Sequence, residues 1–312
     1  MNPRASLQPQ LRAAEFDTLF QEVSNWARWD EESPRGTLNH LTPDRIVAAA
    51  RLVRTGRTIS IGLPLDTEPR ADNPAPAEHR MTQLTDTGSG MVRFVKDFVG
   101  VDFHNDGHSH LDALCHVSYR GAFFGGAPDT SATEQGAAFG DVNIAKDGLV
   151  GRGVLLDIPR LRGVPWLDPG EQVGIDELAA AERHQRVQVG PGDILLVRTG
   201  HPRRLAEVGP WNTTQAKAGL HPGAATLLTE RRIAALGSDT NSDSAPSTTE
   251  GVPFPIHVLA VNAMGLHLLD YLQFEELAAV CEHAGRWEFL CVVAPLRIPG
   301  GTGSPVNPIA IF

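Results

Sequence analysis

Apolar positions along the chain follow two spacings. Between residues 15 and 29 they fall at Phe16, Leu19, Phe20, Val23 and Trp26, the three-and-four spacing of a helix with one buried face. The acidic turn Asp30-Glu31-Glu32-Ser33-Pro34 ends it. Thr42-Pro43-Asp44 predicts a second helix start, with a capping hydroxyl, a proline at the first helical position and an acid in the first turn. That helix runs to about residue 54, and Gly56 closes it. Short apolar runs predict strands over 58–63 and 92–103. A Pro-, Ala- and charge-rich loop over 68–78 and a Gly/Ser turn over 85–90 lie between them.

The second half alternates more regularly. Strands are predicted over 153–158, 194–199, 233–236, 266–269 and 289–295. Helices are predicted over 175–184, 221–232, 256–264 and 274–284, the last two closed by Gly265 and Gly285. Residues 120–140 form a glycine-rich aromatic loop, 237–249 a polar loop, and a Gly/Pro-rich tail follows the last strand. Strands alternating with helices predict an α/β fold with a mixed sheet. No composition break or internal repeat divides the chain, so it is expected to form a single domain over 15–312 behind an arm over 1–14.

Composition narrows the function. The 312 residues are 41% hydrophobic and 21% charged, which is ordinary for a globular protein, and the formal net charge is −10. An acidic chain is a poor nucleic-acid binder, because that binding relies on basic surface. The three cysteines, Cys115, Cys281 and Cys291, are too few for a disulfide framework, and no Cys-x-x-Cys pair exists. The first residues have no apolar core of a signal peptide, and no apolar run is long enough for a membrane span. A cytoplasmic protein is expected.

The candidate chemistry is concentrated in His104-Asn105-Asp106-Gly107-His108-Ser109-His110-Leu111-Asp112-Ala113-Leu114-Cys115-His116. Residues two apart on a strand face the same way, so His108, His110 and Asp112 are placed to converge. Imidazole and carboxylate donors together suit a divalent metal, zinc or manganese. Fully extended, His104 to Asp112 would span roughly 26 Å. His104 therefore joins the same ion only if the chain bends, and Gly107 is where it can. Asp106 is a weaker candidate ligand. His116 lies beyond the strand, where it is free to act as a base.

The segment from Ser109 to His116 resembles the Thr-His-x-Asp-x-x-x-His core of the cyclase family of metal-dependent hydrolases, which includes bacterial kynurenine formamidase and isatin hydrolase. Gly36-Thr37-Leu38-Asn39-His40-Leu41-Thr42-Pro43, residues 151–159 and 190–200, Gly237-Ser238-Asp239 and residues 294–312 also look like segments of its longer members. The resemblance covers nearly all of the chain after the arm. It departs at Asp106, where the formamidase pattern has a histidine; here histidines stand at His104 and His108, as in the longer branch. The resemblance implies a swivelling β/β/α domain, a dimer or tetramer, and a distal histidine and acid completing the metal centre. His257 and Asp270 are the nearest matches. The arm is a candidate interface element.

These residues permit hydrolysis of an amide, formamide or lactam. A divalent metal lowers the pKa of bound water to about 7, and His116 is expected to act as general base and then general acid. Trp26, Phe123 and Phe124 are candidates for holding the apolar body of a small-molecule substrate, and Arg198 for pairing with its carboxylate. Asp239, Asn241 and Asp243 lack the spacing of a calcium loop and are expected to form a turn near the site. A serine hydrolase is disfavoured by the absence of Gly-x-Ser-x-Gly, and a nucleotide enzyme by the absence of Gly-x-Gly-x-x-Gly. A non-catalytic metal-binding scaffold and a cyclising dehydratase are the alternatives.

Overall fold

The structure, a computed structural model, describes residues 10–29, 34–86, 88 and 92–312. The first nine residues of the expected arm, residues 30–33 of the acidic turn, residues 87, 89 and 90 of the expected Gly/Ser turn, and residue 91 lie outside the described residues. The helices are α1 (Ala13–Val23), α2 (Pro43–Ala50), α3 (Ile158–Arg162), α4 (Ile175–Gln185), α5 (His201–Val208), α6 (Ala224–Arg231), α7 (Pro255–His257) and α8 (Glu275–Ala284). The longer strands are β1 (Thr58–Ser60), β2 (Glu78–Asp86), β3 (Arg93–Gly100), β4 (His110–Asp112), β5 (Leu149–Asp157), β6 (Ile194–Arg198), β7 (Ala235–Ser238), β8 (His267–Asp270), β9 (Glu288–Val293), β10 (Gly303–Pro305) and β11 (Ile309–Ile311).

Nine of these strands form one mixed sheet in the order β1-β11-β9-β5-β6-β7-β8-β4-β10. The four central strands, β5 to β8, run parallel, and antiparallel strands complete both sides. The period-2 alternation shows how both faces are covered. Val154, Leu156, Leu195, Val197, Leu236 and Leu268 belong to one core, with α1, α4 and α6. Leu155, Ile194, Leu196, Ala235 and Leu269 belong to a second core, with α8 and β9. Strands buried on both faces read as continuous apolar runs, which is how they look in the sequence. The fold is a single mixed α/β domain, as expected.

Several elements differ from expectation for physical reasons. Helix α1 stops at Val23 because Asn25 turns away to bond a neighbour: its N–H donates to the Ala263 carbonyl at 2.8 Å and its side chain to the Met264 carbonyl at 3.0 Å. Thr42 stands at the N-cap of α2 ahead of Pro43, but its hydroxyl makes no cap bond. The predicted helix over 256–264 is present, with Val258–Met264 wound as a π-helix. Gly265 ends it at φ +65°, where a Cβ would come within 2.6 Å of the Phe124 ring. The Gly/Pro-rich tail supplies the strands β10 and β11.

The most consequential difference concerns the predicted strand over 92–103. It is real over Arg93–Gly100, but it pairs with β2 as a separate antiparallel hairpin outside the main sheet. It does not continue into the histidines. Asn105 forms a turn there: its amide donates to the Asp102 carbonyl, and its Oδ1 accepts from the Gly107 N–H at 2.8 Å. Gly107 is needed because Asn73 lies 2.5 Å from where a Cβ would stand.

Candidate metal centre

Strand β4 is only three residues long, and it lies between β8 and β10. The register sets Asp270 directly opposite His110. His257, at the start of the π-helical segment, comes in from the side. The turn over 104–107 folds His104 back, so its Nδ1 lies 3.0 Å from Asp112 Oδ1. His110 Nε2 is 3.6 Å from the same oxygen and 3.9 Å from Asp270 Oδ2. His116 Nε2 is 3.9 Å from Asp112 Oδ1. His257 Nε2 is 3.5 Å from Asp112 Oδ2 and 3.4 Å from Asp270 Oδ2. Among the described residues two donor groups suit a metal ion: His104, His110 and Asp112, and Asp112, His116 and His257, each with ligand atoms within 4.8 Å of one another. Asp112 is common to both.

The donors are held from behind. His110 Nδ1 lies 2.8 Å from the His108 carbonyl, which turns Nε2 toward the carboxylates. His257 Nδ1 lies 2.6 Å from Asp243, and Asp243 also accepts from the Ile256 and His257 N–H groups. His104 Nε2 lies 3.0 Å from the Thr302 hydroxyl. Such outer partners fix the ring orientation of a ligating histidine.

Charge explains why these residues fit a cation. Asp112 and Asp270 are fully buried, and none of their four carboxylate oxygens accepts a hydrogen bond. A buried carboxylate without donors is costly, and a bound cation offsets that cost. Burial opposes ionisation of Asp112, but the imidazoles of His116, His104, His110 and His257 hold it well below the usual range. Burial raises Asp270. Burial also lowers His116 to about 4, leaving it neutral at physiological pH. For His257, burial is outweighed by Asp243 and Asp270, which raise it.

The cluster opens into a cavity of about 590 Å³. Its lining includes apolar Val117, Tyr119, Val252, Phe254 and Val258, and polar Asp106, Thr214, Lys217, Asn241 and Tyr271. Asp106 accepts from the hydroxyls of Tyr271 and Thr213 and lies 3.3 Å from Lys217 Nζ. Lys217 in turn donates to the Tyr271 hydroxyl at 2.8 Å. Burial opposes ionisation of Asp106 as well, but Lys217 and these donors lower its pKa.

Comparison with known proteins fits this arrangement. The family described as "Putative cyclase" matches residues 38–243. The crystal structure of a protein described as a novel cyclase superposes with a TM-score of 0.85 at 30% identity, covering 94% of this chain and 99% of that one. The chain belongs to the cyclase family. Isatin hydrolase A from Ralstonia solanacearum shares the fold at 21% identity and a TM-score of 0.58, covering 86% of this chain and 97% of that one. A predicted metal-dependent hydrolase from Bacillus stearothermophilus does so at 16% and 0.52, covering 82% and 98%. No curated protein sequence matches the chain.

Within this cyclase-family chain, the structure brings His104, His110, Asp112, His116, His257 and Asp270 together. His108 stands outside both donor groups, with its Nε2 3.3 Å from the Ala75 carbonyl. The expectation that it converges with His110 fails because the chain is turning, not extended, where His108 lies. The four expected substrate-binding residues do not line the cavity. Trp26 is held by its Nε1 donating to the Asn262 carbonyl at 2.7 Å and packs edge-on against Phe20. Phe123 and Phe124 are core residues. Arg198 is buried, donating to Asp157 at 2.9 Å and to both oxygens of Glu275 at 2.9 and 2.8 Å. The polar loop does lie near the site, as Asn241 and Asp243 show. Lys217 and Tyr271 were not expected in the cavity. Lys217 sits in an irregular segment with no motif, whereas the position of Tyr271 beside Asp270 was a usable clue.

Among the described residues no helix is long and apolar enough to cross a membrane.

Proposed function

We propose that this chain is a metal-dependent hydrolase that cleaves the C–N bond of an amide, formamide or lactam in a small molecule. The observation that carries this is the pair of buried carboxylates without hydrogen bonds, ringed by four imidazoles, at the end of an open cavity. The donors are all nitrogen and oxygen, which suits zinc or manganese. His104, His110, Asp112, His257 and Asp270 would hold the ion. A divalent ion there supplies Lewis acidity toward a carbonyl oxygen and makes water a better nucleophile at neutral pH.

The protein's own residues do the rest. His116 has the most exposed of the four imidazoles, with 27% of its side chain accessible. Its neutral state lets Nε2 take a proton from water and return it to the leaving nitrogen. The lining residues Val117, Tyr119, Val252, Phe254 and Val258 pack the substrate body and exclude water from it. Asp106, Lys217 and Tyr271 offer hydrogen-bonding groups to a polar end.

The test is elemental analysis of the purified protein together with a panel of formamides, lactams, linear amides and lactones. Isatin, a cyclic amide, belongs in the panel because proteins named isatin hydrolase share this fold. The expected result is bound zinc or manganese and turnover of at least one C–N substrate. Stoichiometric metal without hydrolysis of any member would favour the scaffold alternative.

A further inference from the structure

Four consecutive residues, Gly251, Val252, Pro253 and Phe254, line the metal cavity and lead into α7, which carries His257. Phe254 is 44% accessible, so its ring borders the cavity without being packed into the core. The ring lies edge-on to that of His257, with centroids 5.9 Å apart and planes at 65°. Prolines stand on both sides of it, in Pro253-Phe254-Pro255. A proline disfavours the helical region for the residue before it, and Phe254 sits at φ −128° and ψ 68°. A ring on so restricted a backbone is presented to a ligand at little entropic cost.

The N-terminal segment holds the start of this stretch. Leu11 packs against the core that includes α1 and bridges to Thr249. Its N–H donates to the Thr248 carbonyl at 3.0 Å, and its carbonyl accepts from the Glu250 N–H at 2.9 Å. The N–H of Ala13, the first residue of α1, donates to the Glu250 carboxylate at 3.2 Å. Val252 is tied back to the same turn. Its N–H donates to the Thr249 carbonyl at 3.3 Å, and its carbonyl accepts from the Ser247 hydroxyl at 2.7 Å. A displacement of residues 248–250 is thus carried along the chain to Phe254.

We propose that Phe254 is a specificity-determining residue that packs on the flat apolar part of the substrate, and that Leu11 and Glu250 are positioning residues that hold it at the cavity. The inference rests on the hydrolase reading above. An aromatic ring gains most from a flat, aromatic partner. Aryl amides and fused-ring lactams therefore draw on Phe254, and small aliphatic amides do not. Phe254 is no metal donor, and Leu11 and Glu250 reach the cavity only through the chain that leads to it. Their loss should therefore act on substrate binding and leave the metal in place.

The experiment compares formanilide with N-butylformamide on metal-loaded, full-length variants. Phe254→Ala should raise KM for formanilide about 5- to 10-fold and for N-butylformamide by less than about twofold, with kcat and metal content unchanged. Phe254→Tyr should keep the wild-type KM. L11P, which removes the Leu11 N–H, and Glu250→Ala should each raise KM for formanilide about threefold. Neither should add to Phe254→Ala in a double variant, because all three act through one ring. An unchanged KM in Phe254→Ala, or an equal rise for both substrates, would overturn the specificity role. An unchanged KM in both L11P and Glu250→Ala, or full additivity with Phe254→Ala, would overturn the positioning role. A wild type that hydrolyses neither compound counts against the hydrolase reading, and calorimetric binding of oxindole and 2-pyrrolidone then takes the place of KM. Selective loss of oxindole binding in Phe254→Ala would sustain the proposal. Equal binding by wild type and variant, or a wild type that binds neither lactam, would overturn it.

Discussion

The imidazoles of His104 and His116 are stacked, with ring centroids 3.8 Å apart and planes 6° from parallel. Burial lowers His116 and leaves it neutral at physiological pH, so the stack is spared repulsion between two charged rings. Asp112 Oδ1 lies 3.0 Å from one ring and 3.9 Å from the other. The turn at Asn105 thus brings His104 onto Asp112 even though it precedes it by eight residues, while Asp106 meets Lys217 and Tyr271 instead.

His104→Ala should therefore weaken zinc binding by about 100-fold or more, whereas Asp106→Asn should weaken it by less than about 10-fold. Competition against a chromophoric chelator measures both. Equal losses in the two variants would remove His104 from the ligand set.

His116→Ala separates proton transfer from metal binding. The variant should keep its metal and lose about 10²- to 10⁴-fold in kcat, the usual contribution of a general acid–base group. Metal-to-chain ratio and turnover of a panel substrate are the paired readouts. Loss of bound metal would show instead that His116 is a ligand in the group with Asp112 and His257.

The helix α1 and the central strands were legible in the sequence because one rhythm decided each of them. The buried set Phe16, Leu19, Phe20 and Val23 follows the helical spacing, and each parallel strand has a short apolar run at its centre. The donor types at the site were legible as well. What local pattern could not show is how distant segments meet. His110 faces Asp270 only because β4 inserts beside β8, 160 residues apart in the chain. His108 was misplaced because a turn and a strand look alike in a run of polar residues. Lys217 was missed because nothing around it is periodic.

The pair of Lys217 and Asp106 tests the polar lining. Lys217 is 2% exposed, so removing its carboxylate partner leaves a buried charge without its counterion. Asp106→Ala should destabilise the fold by about 3 kcal/mol or more, the size typical of a broken buried pair. Removing both charges in D106L/K217M should cost less than that single change. Urea unfolding of the wild type and the two variants measures it, and a double variant no more stable than Asp106→Ala would mean that the two side chains are not coupled.

Stability should fall in mild acid. Burial lowers both His201 and His40 from 6.5 to about 4. Between those values the unfolded chain binds more protons than the folded one. The stabilisation is complete above about pH 6.5 and is lost as pH falls toward 4. The urea midpoint should be flat from pH 7 to 8 and drop below pH 6.5, with a shallower drop in His201→Asn. An equally steep drop in that variant would clear His201 of the effect.

Arg198 decides between a structural and a substrate-binding role at the end of β6. Its guanidinium joins Asp157 and Glu275, carboxylates from two other segments of the fold, and it does not line the cavity. Arg198→Ala should destabilise the protein by about 3–5 kcal/mol, because Asp157 is left buried without its cation. Assayed well below its melting temperature, the folded variant should keep the wild-type KM within about twofold, since no substrate contact is lost. A tenfold rise in KM confined to substrates bearing a carboxylate, with stability unchanged, would return Arg198 to the binding site.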